Sequence, residues 1–196
     1  MESIPLLIGG IFMIMIGIFA AVVALVFAWS VSVYNRFVRL RNLMAEAWSG
    51  IDVQLKRRVD LIPNLVETVK GYAGHEKELF EKIALSRAQS VNAGSVREQA
   101  AAESALTASL RTLFAVAEAY PDLKANTNFL ELQKSLAEIE DQIQMARRYY
   151  NGTVRENNVL VDSFPSNLVA RLAGFTKADF FELEDSAERK APQVRF

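Results

Sequence analysis

The chain of 196 residues contains no cysteine and a single histidine, His75. Without cysteine there is no disulfide framework, no thiolate metal site and no cysteine nucleophile. A lipoprotein-type anchor is excluded too, since it needs a cysteine after a short apolar run. One histidine excludes most catalytic triads and histidine-based metal centres. His75-Glu76 opens like the zinc-protease HExxH, but position 79 is Leu. There is no GxxxxGKS/T phosphate loop and no GxGxxG. Glu138, Glu140 and Asp141 follow a solvent-type helical pattern and have no ExxH partner, so a di-iron or two-carboxylate site is not expected. Charge of one sign is also missing: 22 basic residues stand against 23 acidic ones. A nucleic-acid binder would need a basic excess along one face. The residues therefore point to no enzyme, no cofactor, no metal and no nucleic acid.

What the chain has instead is a long apolar run. No charge occurs between Glu2 and Arg36, and 24 of the 30 positions from Ile4 to Val33 are apolar. This run alone makes the mean hydropathy positive, at +0.12. As a helix it would be roughly 45 Å long, against about 30 Å of bilayer hydrocarbon. It is too long for a signal-peptide core of about 7–15 residues and lacks a basic leader. Nothing else in the sequence is large enough to bury it as a core helix. A transmembrane helix is expected, with Trp29 and Tyr34 at the interfacial level. Arg36, Arg39 and Arg41 follow at once, so the positive-inside rule places the bulk of the chain in the cytoplasm and the N-terminus outside. Within the span, Gly10, Gly17, Ala21, Ala24 and Ala28 share one helical face, a candidate seam for packing of spans in lipid.

Beyond the span the apolar spacing continues at steps of three and four through Val33, Phe37, Leu40, Met44, Trp48, Ile51, Leu55, Val59, Ile62, Val66 and Val69. The membrane helix is thus expected to run on into the first cytoplasmic helix. Pro63 should kink it near Asp60 and Leu61, and Gly71 and Gly74 bracket its end. Further helices are expected over Glu76–Val91, over Ser95–Ala119 and from Asn126 or Thr127 onward. Asn92-Ala93-Gly94-Ser95 and Tyr120-Pro121-Asp122 form the breaks. The last helix carries Phe129, Leu132, Leu136, Ile139, Ile143, Ala146 and Tyr150 in a near-heptad, the seam of a bundle or coiled coil. Beyond Gly152 the pattern weakens. Phe164-Pro165-Ser166-Asn167-Leu168 reads as a break and a new turn, closed by Gly174-Phe175, and a polar tail follows.

Five basic residues, Lys56, Arg57, Arg58, Arg147 and Arg148, are candidates for a partner-contact face. The bilayer is not their target. Residue 57 lies roughly 30 Å along the helix from the membrane exit, well past a Debye length of about 8 Å. A partner protein, or carboxylates within the bundle, is the better counterpart. Val33, Phe37, Leu40 and Met44, close to the bilayer, have few obvious partners within the chain. Left exposed they would form an apolar patch that self-association could cover, the alternatives being a different protein or the chain's own Phe175–Phe181 segment.

Several ordered segments carry a family likeness. They are Tyr34-Asn35 through EAWSGIDVQLKRRVDLIPNLVETVKGYAGHEKELFE, then AYPDLKANTNFLELQKSLAEIEDQI, ARRYYNGTVRENN, and SFPSNL with AGF. Over residues 34–176 the chain resembles the LemA family. The resemblance implies a bacterial, membrane-anchored antiparallel helical bundle with no established catalytic activity. Some relatives are tied to magnetosome membrane formation, and others are encoded near membrane-bound zinc metalloproteases. Where relatives repeat a Tyr-Asn pair after the RRYYN segment, this chain has Asn157-Asn158, so the aromatic contact is not expected here.

The expected architecture is all-α: a transmembrane anchor over 1–33, an antiparallel four-helix-type bundle over 34–176, and a polar tail over 177–196. The expected function is a scaffold or adaptor in the bacterial inner membrane. It would act through helix contacts with itself, as a homo-oligomer, or with another membrane protein such as a metalloprotease. The alternative is a homo-oligomer that shapes or organises the membrane.

Overall fold

The computed structural model describes residues 3–182. Among the described residues every regular element is a helix. In chain order these are α1 (Ser3–Lys70), α2 (Lys77–Asn92), α3 (Val96–Ala117), α4 (Pro121–Lys124), α5 (Thr127–Asp162) and α6 (Ser166–Ala173). Local chemistry explains most of the boundaries. Ser95 accepts from the Glu98 backbone N–H at 3.2 Å, while the Glu98 carboxylate accepts from Gly94 N–H at 2.9 Å, a close relative of the capping box at the start of α3. Asn126 caps α5 by accepting from Phe129 N–H at 3.1 Å. Pro121 does more than end α3. It occupies the first turn of the short α4, where its missing N–H costs nothing. Gly174 ends α6 in the left-handed region at φ 73°, which a side chain would disfavour. The weakening expected after Gly152 does not stop α5, which continues to Asp162.

Contacts divide the chain into two compact units, one of residues up to 43 with 155–178, the other of 44–154 with 179 onward. In the second unit, Ile62, Leu65, Val69, Phe80, Ile83, Leu106, Leu113, Leu123 and Phe129 bring α1 to α5 into one buried cluster. Leu65 is fully buried and Val66 only half-buried, so the inward stripe of α1 is turned slightly from the expected one. The α5 heptad faces inward as spaced, with Phe129, Leu136, Ile139, Ile143 and Tyr150 all buried. Ser86 meets Ser109, and Ser90 meets Glu103, so α2 and α3 run antiparallel. Trp48 packs on Tyr150, Arg58 pairs with Glu140 and Tyr72 bonds Asn126, so α5 descends as α1 ascends.

α1 continues as a helix through Pro63. Proline has no N–H, which leaves the carbonyl four residues earlier, that of Val59, without its helical donor. Arg87 of α2 supplies a substitute, its Nε–H donating to Val59 O at 3.0 Å.

In the first unit, Phe175 stacks on Phe37 at 4.6 Å between centroids and meets Tyr34 edge-on at 5.6 Å. Phe37 and Leu40 are buried and Val33 is half-buried, as is Met44 at the start of the second unit. Of the covers weighed for this patch, the chain's own Phe175 is the one found on Phe37. The segment after α6 supplies that aromatic ring.

Candidate functional site

Three features carry polar or apolar chemistry beyond simple packing. The first is the N-terminal part of α1. From Phe12 to Trp29 every residue is exposed, including Phe12, Phe19, Leu25 and Phe27. Soluble surfaces rarely keep an apolar patch of this extent, which marks a membrane or protein contact. Among the described residues, one helix is long and apolar enough to cross a membrane. Gly10, Gly17, Ala21, Ala24 and Ala28 are exposed on it, and a Cβ at either glycine would meet open space. Arg36, Arg39 and Arg41 are exposed beyond it.

The second feature is a buried ion cluster in the second unit. Arg58 and Glu103 have side chains only 4% and 1% exposed and pair at 3.3 Å. Arg58 also donates to Thr107 Oγ1 at 2.7 Å and pairs with Glu140 at 3.2 Å. Glu103 accepts from Ser90 Oγ and, at 2.9 Å, from Gln99 Nε2. Removing two charges from water costs several kcal/mol each, and the cluster meets that cost with opposite charges and added donors. Arg58 is therefore no part of a partner-contact face: it points inward because its helical position, between Leu55 and Ile62, belongs to the buried side of α1. Glu140, placed by its sequence pattern with the solvated carboxylates, also turns toward Arg58.

The other four basic residues remain at the surface. Lys56, Arg57 and Arg148 are exposed and Arg147 is half-buried. Arg57 donates to Gln54 at 3.2 Å. They are not pooled: Trp48 opposite Tyr150 and Arg58 opposite Glu140 set Arg147 and Arg148 near the level of Gly50, roughly 9 Å along α1 from Lys56 and Arg57. Lys56 instead borders a cleft of about 370 Å³ together with Asp52, Asp60, Arg87 and Gln99. Charges of both signs line it. No group of three or more His, Cys, Asp or Glu side chains able to hold a metal ion occurs among the described residues.

The third feature is a set of asparagines that hold the segment after α6. In the first unit, Asn158 accepts from Ala178 N–H and donates to Ala178 O, both at 2.9 Å, and Asn157 donates to Thr176 O at 3.1 Å. In the second unit, Asn151 accepts from Phe181 N–H at 2.9 Å and donates to Phe181 O at 3.1 Å. Each of Asn151 and Asn158 thus treats one residue as a neighbouring strand would, satisfying both backbone groups. Phe181 is buried and meets Trp48 edge-on at 5.6 Å. Tyr150 donates to Asp179 O at 3.0 Å. Burial, and then the Asp179 carboxylate, push the Tyr150 phenol above its usual value near 10. The remainder of the expected tail, 183–196, lies outside the described residues.

Glu103 and the asparagines had readable signals. Glu103 sits on the apolar stripe of α3 with Leu106, Leu110 and Leu113, and Asn157 falls one heptad after Tyr150. A polar residue at a core position announces a buried partner.

The chain is similar to the magnetosome proteins MamQ 1 and MamQ 2 of Paramagnetospirillum magneticum, 27% identical over 175 residues that cover 76% of this chain. It spans 64% of the length of those relatives. It is also similar to protein LemA of Metamycoplasma hominis, 27% identical over 77% of this chain and 69% of the relative. The LemA family profile matches residues 47–196, which begin after the apolar run and include the Arg58 cluster and the asparagine contacts. The chain belongs to the LemA family.

Proposed function

We propose that this chain is a non-enzymatic, single-pass membrane protein whose helical part is a scaffold or adaptor. In this reading α1 crosses the bacterial inner membrane with its N-terminus outside. The other helices pack with the rest of α1 as an antiparallel four-helix-type bundle in the cytoplasm. The protein works through helix–helix contacts with itself or with another membrane protein, such as a metalloprotease. The observation that carries the reading is the fully exposed apolar face of Phe12–Trp29, followed directly by exposed arginines. The buried charges do not argue for chemistry, because Arg58 and Glu103 are enclosed by their partners and inaccessible to a substrate. A reporter active only in the cytoplasm, fused after Phe196, should be active, and one active only outside should be silent. The reverse pattern rejects the orientation. Cross-linking in membranes followed by capture identifies the partner.

A second reading, a homo-oligomer that organises the membrane, is supported by relatives named as magnetosome proteins. Since Phe37 and Leu40 are covered within the chain, self-association rests on the span and its small-residue seam. A monomer or dimer in mild detergent favours the adaptor, and a large ring or cage favours the organiser. Gly17→Leu with Ala21→Leu should lower the mass of any assembly built on the seam.

A further inference from the structure

α6 is turned inside out for a helix in water. Its small residues Ser166 and Ala170 are buried, while Leu168 and Leu172, half a turn away, point outward. Leu172 is 90% exposed and Leu168 50%, and Phe164, in the turn that precedes the helix, is 80% exposed. Leu168 and Leu172 share one edge of α6, and large apolar side chains grouped at an exposed edge mark a contact surface.

The position of α6 identifies what covers it. Val169, Leu172 and Ala173 line a cleft of about 310 Å³ with Ser30, Val31 and Tyr34 of α1. Phe175, just past the helix, locks this arrangement by its contacts with Tyr34 and Phe37. Residues 30–34 are where the uncharged run gives way to Arg36 and Arg39. The edge of α6 thus lies beside the end of the uncharged run, next to the exposed apolar surface of α1.

We infer that α6 is a second membrane contact, an interfacial helix that sinks Leu168 and Leu172 into the lipid beside the exit of α1. This rests on the reading that Phe12–Trp29 crosses a bilayer. Interfacial helices bury a one-sided apolar face to a depth of about 5–10 Å. Eight residues alone would hold weakly, but α6 is already tied to the span through Phe175, so it pays little further entropy to bind. A contact on one side of the exit also fixes the tilt and rotation of the span, which its own length leaves open.

The absence of cysteine makes the test clean, since each introduced thiol is unique. The full chain carrying Leu168→Cys or Leu172→Cys is labelled with a nitroxide and reconstituted in phosphatidylethanolamine–phosphatidylglycerol vesicles. Phe19→Cys serves as the lipid reference and the exposed Ala88→Cys as the aqueous one. The ratio of oxygen to nickel-chelate collisions should be severalfold higher at 168 and 172 than at 88, and should lie toward the value at 19. Aqueous ratios at 168 and 172 with a lipid ratio at 19 overturn the α6 contact and leave the span standing. An aqueous ratio at 19 overturns both. Protection from both reagents with label–label broadening at 168 and 172 means that a second copy covers the edge, and the lipid contact is refuted.

Discussion

Replacing Arg87 should cost an amount that depends on the residue at position 63, although the two are on different helices. Pro63 leaves Val59 O without a helical donor, and Arg87 Nε–H fills the gap at 3.0 Å. Arg87→Met keeps a long unbranched stem and a good helix former, so the lost hydrogen bond dominates the change. A bond with one charged partner contributes about 1.5–3 kcal/mol, and the half-exposed setting of Arg87 argues for the low end, about 1.5 kcal/mol. In a Pro63→Ala background the new Ala N–H reaches Val59 O as any helical N–H does. The same Arg87→Met change should then cost only about 0.5 kcal/mol. The difference, about 1 kcal/mol, exceeds the roughly 0.3–0.5 kcal/mol scatter of independent sites. The assay is urea unfolding of the four proteins in detergent, followed by helical circular dichroism. An equal cost of Arg87→Met in both backgrounds refutes the compensation.

Arg58→Met strands Glu103 in the core without its cation and should cost about 3–5 kcal/mol. Glu103→Gln, which leaves Arg58 paired with Glu140, should cost less; a reversed order in the same unfolding assay would show that Glu103 does not depend on Arg58 for its stabilisation. Leu136→Ala or Ile139→Ala should lose about 2–5 kcal/mol, and a loss below about 0.5 kcal/mol would misplace the α5 core face. The Tyr150 phenol is raised in the folded state, so its stabilisation is complete below the unfolded value near 10 and is lost as pH rises through the higher folded value. Tyr150→Phe should therefore be the less stable protein near neutral pH and close the gap above pH 10; a gap independent of pH would remove the titration from the account.

The helical class, the apolar span, the α5 heptad, the caps at Ser95 and Asn126 and the stop at Gly174 were all legible in the sequence. Each depends on neighbours within a turn or two of helix, where residue spacing and local backbone chemistry decide the outcome. Lys56, Arg57 and Arg58 are consecutive and chemically alike, yet two are at the surface and one is buried. That difference was set by the rotation of α1 against its partners, and its counterpart Glu103 comes 45 residues later. The covering of Phe37 by Phe175 and the rescue of Val59 O by Arg87 also join residues far apart in the chain. Local pattern can mark an apolar face or an orphaned carbonyl as needing a partner. Only the packed helices bring that partner close, because which distant side chain arrives depends on the register and rotation of whole elements.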